Sequence, residues 1–227
     1  MPVSSGSEGI QGAKLLMYHY VRTVNQDSDP IGYRLSVTPA AFEEQIRYLS
    51  EAGFRAATVA SLLQGDALKN AVALTFDDGY EDFYLNAYPI LARYNMTATV
   101  YVVSDWVGKS GYLNEEQIRE LLAAGFEIGS HTVSHRELHK LSETDQIRQI
   151  RDSKLSLEQR FNTQVVSFCY PVGRYTDVTT RLVREAGYLG AVTTQPGVPS
   201  DTTNAYTIPR QRVSGGMSLS SFTALVR

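Results

Sequence analysis

Two carboxylates, Asp77 and Asp78, stand side by side where the apolar run "AVALTF" (71–76) stops and directly before Gly79. Two histidines, His131 and His135, stand four residues apart in "GSHTVSHREL". On a helical turn that spacing brings both imidazoles onto one face, which suits chelation of one divalent metal. Two neutral nitrogens make a loose site, and a carboxylate from another strand end would complete a His-His-Asp set. With its remaining positions open to water and substrate, such a set is catalytic in type. Taken alone, Asp-Asp-Gly is more often a turn with a helix cap, and the histidine spacing also arises by chance. His139, another four residues on, reads as a solvated side chain.

The elements that must position these groups alternate along the chain. "KLLMYHYV" (14–21), "AVALTF", "TATVYVVS" (97–104), "FEIGSH" (126–131), "VVSFCYP" (165–171), "GAVTT" (190–194) and "YTIPRQRV" (206–213) read as strands. Helical spacing runs over 39–52, started by Thr38 and Pro39 and stopped by Gly53. It recurs from Phe83 to Tyr94, where Pro89 should kink the helix or sit in its first turn. Further helices are expected over 114–125, capped by Asn114 and stopped by Gly125, over 143–161 and over 177–186. Near-continuous apolar strands between helices imply an α/β fold, either a barrel or an open doubly wound sheet. Asp77 and Asp78, His131, and Gly173 with Arg174 all follow strand ends, and a barrel brings every strand end to one mouth. No G-x-G-x-x-G or P-loop pattern supports nucleotide binding.

Composition narrows the function classes. Of the 227 residues 43% are hydrophobic and 20% charged, net charge is −3, and the basic residues are scattered. That leaves no nucleic-acid footprint and no polybasic membrane patch. A single cysteine, Cys169, excludes an internal disulfide and a multi-cysteine zinc site. No apolar run reaches the roughly 20 residues of a membrane span. Residues 1–13 lack the regions of a signal peptide and read as a flexible tail or an expression scar, ahead of one domain over 14–227.

The ordered pair "TFDDGY" and "GSHTVSH" resembles the first two motifs of the polysaccharide deacetylases, the NodB-homology group of carbohydrate esterase family four. The resemblance runs from about Lys14 to Val213. It implies a distorted (β/α) barrel with about seven parallel strands, fewer than the eightfold form, and removal of N-acetyl groups from an amino-sugar polymer. It also implies roles: Asp77 as general base, and Asp78, His131 and His135 as ligands of one divalent metal. Zinc is the default, with cobalt or nickel fitting the same ligands. Alternation at a strand end would let one carboxylate face the metal and its neighbour the water beside it.

Two departures from the family pattern shift the remaining roles. In "FCYPVGRY" Cys169 stands where many members have an arginine, and Val172 where they have a tyrosine. That tyrosine acts through its main-chain N–H, a group Val172 equally offers to an oxyanion. The guanidinium missing beside Asp77 is expected from Arg210 in "IPRQRV", with Arg174 as runner-up. The Leu-x-His that supplies other members with a general acid is absent. In a closed barrel the first and last strands are neighbours, and in the circularly permuted poly-N-acetylglucosamine deacetylases the acid lies in a Tyr-His segment before the aspartates. "MYHYV" followed by "TPAAFEEQIRYLSEAGF" looks like that branch, which makes His19 the expected acid. Without the resemblance, a lone histidine in an apolar strand is more often a core residue.

Trp106, Tyr112 and Tyr175 fall in segments expected to form mouth loops, and their faces are candidate platforms for sugar rings. The resulting expectation is a monomer acting on an N-acetylated polysaccharide or oligosaccharide, outside or on the surface of a bacterial cell. An acetyl-xylan-type O-deacetylase, a small-amide hydrolase and a non-catalytic carbohydrate-binding barrel remain as alternatives.

Overall fold

The computed structural model describes residues 9–66 and 68–227. Its first half runs through β1 (Lys14–Tyr18), β2 (Tyr20–Val21), α1 (Pro30–Leu35), β3 (Ser36–Val37), α2 (Pro39–Glu51), β4 (Arg55–Ala56), α3 (Val59–Leu63) and β5 (Ala71–Phe76). After β5 come a π-helical turn (Phe83–Ala87), α4 (Tyr88–Arg93), β6 (Thr99–Val102), α5 (Glu115–Ala123) and β7 (Glu127–Ser130). Next is one helical rod of α6 (Glu143–Ile147) and α7 (Ser153–Phe161), joined by a π segment over Arg148–Asp152. The chain ends with β8 (Ser167–Cys169), α8 (Asp177–Glu185), β9 (Gly190–Val192), β10 (Gln211–Arg212) and α9 (Leu219–Val226).

Seven strands lie side by side in the order β10-β1-β5-β6-β7-β8-β9, with every neighbouring pair parallel. The expected strand over 206–213 is reduced to β10, because Pro209 has no N–H to give a ladder. That shortened segment nevertheless touches both edges of the sheet. Ile208 bridges Val192 of β9, whereas Gln211 and Arg212 register with Leu16 and Met17 of β1. The sheet therefore curls into a distorted barrel and is not an open sheet.

Period two sorts each strand into two faces. Val72, Leu74 and Phe76 of β5 pack outward against the helices, while Ala71 and Ala73 face inward with Leu15, Tyr101, Cys169, Val192 and Ile208. The inward parity, carried past the strand ends, falls on His19, Asp77 and His131. Deeper in the barrel, buried Glu127 accepts hydrogen bonds from the Ala60 N–H at 2.8 Å, the Thr99 hydroxyl at 2.7 Å and the Ser167 hydroxyl. These bonds satisfy a carboxyl that burial alone would leave costly.

Several boundaries differ from the sequence reading. The strand expected over 14–21 breaks at His19, because Tyr20 and Val21 leave the barrel to pair with β3. Pro89 sits in the first turn of α4, with the π-helical turn just before it. Of the expected tail, residues 1–8 lie outside the described residues, but residues 9–13 are no loose tail. Ile10 and Ala13 are buried against Leu15 and Leu62, and the Gly12 N–H donates to the Pro199 carbonyl at 2.9 Å. Where caps were read, they form: the Thr38 hydroxyl accepts from Ala41, and Asn114 and Gln117 make a reciprocal box. Among the described residues no helix is long and apolar enough to cross a membrane.

Gly129 tests the inward packing directly. A Cβ there would lie 2.5 Å from the Tyr101 ring and 2.8 Å from the Ser167 hydroxyl, and Tyr101 is fully buried. Gly129→Ala is expected to destabilise the fold by about 1–3 kcal/mol, the usual cost of overpacking. Urea denaturation against wild type measures this.

Candidate active site

The mouth is organised by a buried ion pair. Arg210, with no solvent exposure, donates from Nη1 to Asp77 Oδ1 at 2.7 Å and from Nη2 to Asp77 Oδ2 at 2.8 Å. Its remaining donors reach the Thr75 hydroxyl (2.8 Å), the Thr193 carbonyl (2.9 Å) and Cys169 Sγ (3.3 Å). All five N–H groups of the guanidinium thus have acceptors, which a buried cation requires. Burial opposes ionisation of Asp77, but Arg210 overrides it and holds the carboxyl well below the usual carboxylate range. Of the two candidate arginines, Arg210 is the one beside Asp77; Arg174 is exposed on the loop after β8. The small Cys169 side chain leaves room for the guanidinium to enter from the closing segment.

Asp78 is turned away from this pair by its backbone. Its φ of 75° is left-handed, as is that of Gly79 at 74°. The two carboxylates therefore diverge through a turn conformation, where strand alternation had been expected. Asp78 Oδ1 lies 3.3 Å from Nε2 of both His131 and His135. The histidines are not on a helix: residues 131–135 form a turn in which Thr132 and His135 have φ of 70° and 56°.

This trio fits a divalent cation. One ligand atom from each of Asp78, His131 and His135 lies within 4.8 Å of the others, and Asp78 Oδ1 is buried with no hydrogen-bond partner. His131 Nδ1 is 2.7 Å from the Cys169 carbonyl, so Nδ1 carries a proton and Nε2, the nitrogen facing Asp78, is the one that would ligate an ion. Burial pushes the His135 ring down, which favours the neutral form that can ligate a cation.

His19 lies at the break between β1 and β2, beside the carboxylates. The Asp77 N–H donates to the Tyr18 carbonyl at 3.1 Å, which fixes the two strand ends in step. Burial pushes the His19 ring down, and the pull of Asp77 and Asp78 offsets this only in part. Val172, half-exposed, has a left-handed φ of 52°, a strained conformation for a β-branched residue and one that turns its peptide sharply after β8. Trp106 stacks on His135 with ring centroids 5.5 Å apart, and Tyr112 packs on Trp106 at 4.9 Å. Tyr175 packs on Tyr170 and accepts from Gln195, without a contact to the cation trio. His139 is half-buried beside Glu137 and outside the trio, so it is not the solvated residue expected.

Sequence reasoning missed Tyr20 and Tyr80. Arg22 lies over Tyr20, Tyr20 stacks on Tyr80 at 3.8 Å, and Tyr80 stacks on Tyr112 at 5.2 Å. With Trp106 they form a continuous aromatic wall leading to His135. Both tyrosines adjoin motifs already singled out, "MYHYV" and "DDGY", and that adjacency was the available signal.

The polysaccharide deacetylase family model matches residues 64–191. A Bacillus subtilis (strain 168) protein, YxkH, described as a candidate polysaccharide deacetylase, is 37% identical, covering 93% of this chain and 75% of its own length. The poly-beta-1,6-N-acetyl-D-glucosamine N-deacetylase of Staphylococcus aureus is 27% identical over 89% of this chain and 79% of its own. Among solved structures, the Streptococcus pyogenes deacetylase PplD in complex with acetate superposes with a TM-score of 0.88. It is 28% identical, and the match covers 95% of this chain and 98% of that one.

The buried pair sets two expected outcomes. Arg210→Ala leaves Asp77 as an unpaired buried charge and is expected to cost about 3–5 kcal/mol, measured by urea denaturation. Because the folded pKa of Asp77 is depressed, its stabilisation is present above the unfolded carboxylate value of about 3.9. It is lost as pH falls through the lower folded value. Wild type is therefore expected to lose more stability than Asp77→Asn between pH 7 and pH 3.

Proposed function

The chain belongs to the polysaccharide deacetylase family, and on that premise we propose that it is a metal-dependent hydrolase that removes N-acetyl groups from an N-acetylglucosamine-containing polysaccharide. The observation that carries this reading is the convergence of Asp78, His131 and His135 beside an arginine-paired Asp77, with His19 close to both carboxylates. Asp78, His131 and His135 would hold the ion, zinc by donor type, with cobalt or nickel also accepted. When bound, the ion supplies Lewis acidity that acidifies water and polarises an amide carbonyl.

Asp77 accepts the proton of the attacking water. Arg210 keeps that carboxylate ionised and fixes both its oxygens, so Asp77 is a weak base suited only to a water already made acidic. Val172, at the left-handed turn after β8, offers its main-chain N–H as the donor to the developing oxyanion. His19, in its protonated form, gives the proton that the departing sugar nitrogen needs. The products are acetate and a free amine. Trp106 and Tyr112, on the aromatic wall, offer faces to sugar rings, with Tyr175 further out.

The named activity of the Staphylococcus aureus relative supports an amide over an ester as the bond cleaved. Outside or at the surface of a bacterial cell is where such a polymer would be met, and a monomer suffices because one chain supplies every proposed group.

Acetate release from N-acetylglucosamine oligomers tests the proposal. Chelation is expected to abolish release and zinc to restore it, and His19→Ala is expected to lower kcat by about 10²-fold or more, the range of general-acid catalysis. Equal or faster release from O-acetylated xylan would move the assignment to an ester. Zinc binding without release from either substrate would leave a carbohydrate-binding barrel.

A further inference from the structure

His19 makes no side-chain hydrogen bond of its own among the described residues, so its place beside the carboxylates depends on the backbone around it. On its N-terminal side the segment is fixed by strand pairing with β5 and by the Asp77 N–H on the Tyr18 carbonyl. On its C-terminal side β1 has ended, and the chain leaves the barrel to pair as β2 with the two-residue β3, itself outside the barrel sheet. There Asp82 Oδ2 accepts the Val21 N–H at 2.8 Å, and the Asn86 side-chain amide donates to the Val21 carbonyl at 2.7 Å. Both polar backbone groups of Val21, two residues from His19, are thus gripped from one short segment. The stack of Tyr20 on Tyr80 ties the residue between them to the same stretch of chain.

The gripping segment directly follows Asp77 and Asp78, and Asn86 lies in the π-helical turn Phe83–Ala87. An i+5 turn is rare and marks functional sites more often than chance, because it re-aims side chains that an α-turn would place elsewhere. Asp82 is also kept at a cost. Its Oδ1 is buried with no hydrogen-bond partner, and burial pushes the carboxyl up to about 6 against the pull of the Val21 N–H. A carboxyl serving stability alone would be better replaced by a fully satisfied or apolar group.

We propose that Asp82, with Asn86, is a positioning residue that clamps Val21 and thereby holds His19 at the reacting centre on the same rigid turn that carries Asp77 and Asp78. The proposal rests on His19 being the general acid. It makes the acid and the base-and-ligand pair a single unit, so their spacing is set by the β1–β5 pairing on one side of His19 and the clamp on the other, and not by the closure of the barrel.

The test is a double-mutant cycle on the zinc-loaded full chain, combining Asp82→Ala with His19→Ala, with Asp82→Asn as the conservative variant. Asp82→Ala is expected to lower kcat for acetate release by about tenfold or more, with KM within twofold, zinc content at one per chain, and faster amide exchange at Val21. Asp82→Asn retains an oxygen to accept the Val21 N–H and is expected to recover both rate and protection. The double variant is expected to be no slower than His19→Ala, since a residue acting through His19 has nothing left to position. A slow His19→Ala beside a wild-type rate for Asp82→Ala, or additive losses in the double variant, overturns the clamp and leaves the acid assignment standing. A wild-type rate for His19→Ala overturns both. Should Asp82→Ala fail to accumulate as folded protein, Asn86→Ala releases the other half of the grip and is held to the same outcomes.

Discussion

The buried pair of Asp77 and Arg210 is the constraint on which the mouth of this barrel depends. Two adjacent carboxylates at a strand end repel each other and resist burial. The repulsion is resolved by dividing their partners: Asp77 is neutralised by a guanidinium with all its donors satisfied, and Asp78 is rotated by a left-handed residue toward two imidazoles. Arg210 reaches Asp77 from a segment 133 positions away in the chain, and that segment is also the one that closes the sheet. Closing the barrel and settling the charge are therefore one event. An open sheet would leave Asp77 as a buried anion without a counterion.

The same geometry explains how Cys169 fits a position where an arginine is usual in the family. Its thiol is buried 3.3 Å from the Arg210 guanidinium, and its carbonyl accepts a hydrogen bond from the His131 Nδ1–H. A large cation at this position would collide with the one arriving from the closing segment. The charge beside the proposed base is kept while its chain position changes, because the site needs a guanidinium in that space and does not depend on which strand delivers it.

Much of this was legible in the sequence. The apolar run 71–76 became β5 with the bounds read from it, but being apolar throughout it did not say which parity faced inward, and the structure puts Asp77 on the inward one. The histidines were legible by type and spacing, but the helix imagined for them was wrong: a turn with two left-handed residues satisfies the same four-residue spacing, and no periodicity announces it. Arg210 could be named only as a candidate, since nothing local in "IPRQRV" shows what faces it. Ile10, the two-residue strand β3, the break that makes Tyr20 and Val21 a separate strand, and the wall begun by Tyr20 and Tyr80 were missed because their partners are distant in the chain and their runs too short for a periodic signal. The family match, over residues 64–191, likewise excludes both His19 and Arg210.

The central claim is that the neighbouring aspartates have separate jobs, one holding the proposed ion and the other acting on water. Zinc content measured alongside acetate release for Asp77→Asn and Asp78→Asn tests it most directly. The account predicts that Asp77→Asn retains one zinc per chain without releasing acetate, whereas Asp78→Asn loses the zinc itself. Loss of zinc from both variants alike, or retention by Asp78→Asn, would contradict the division of roles.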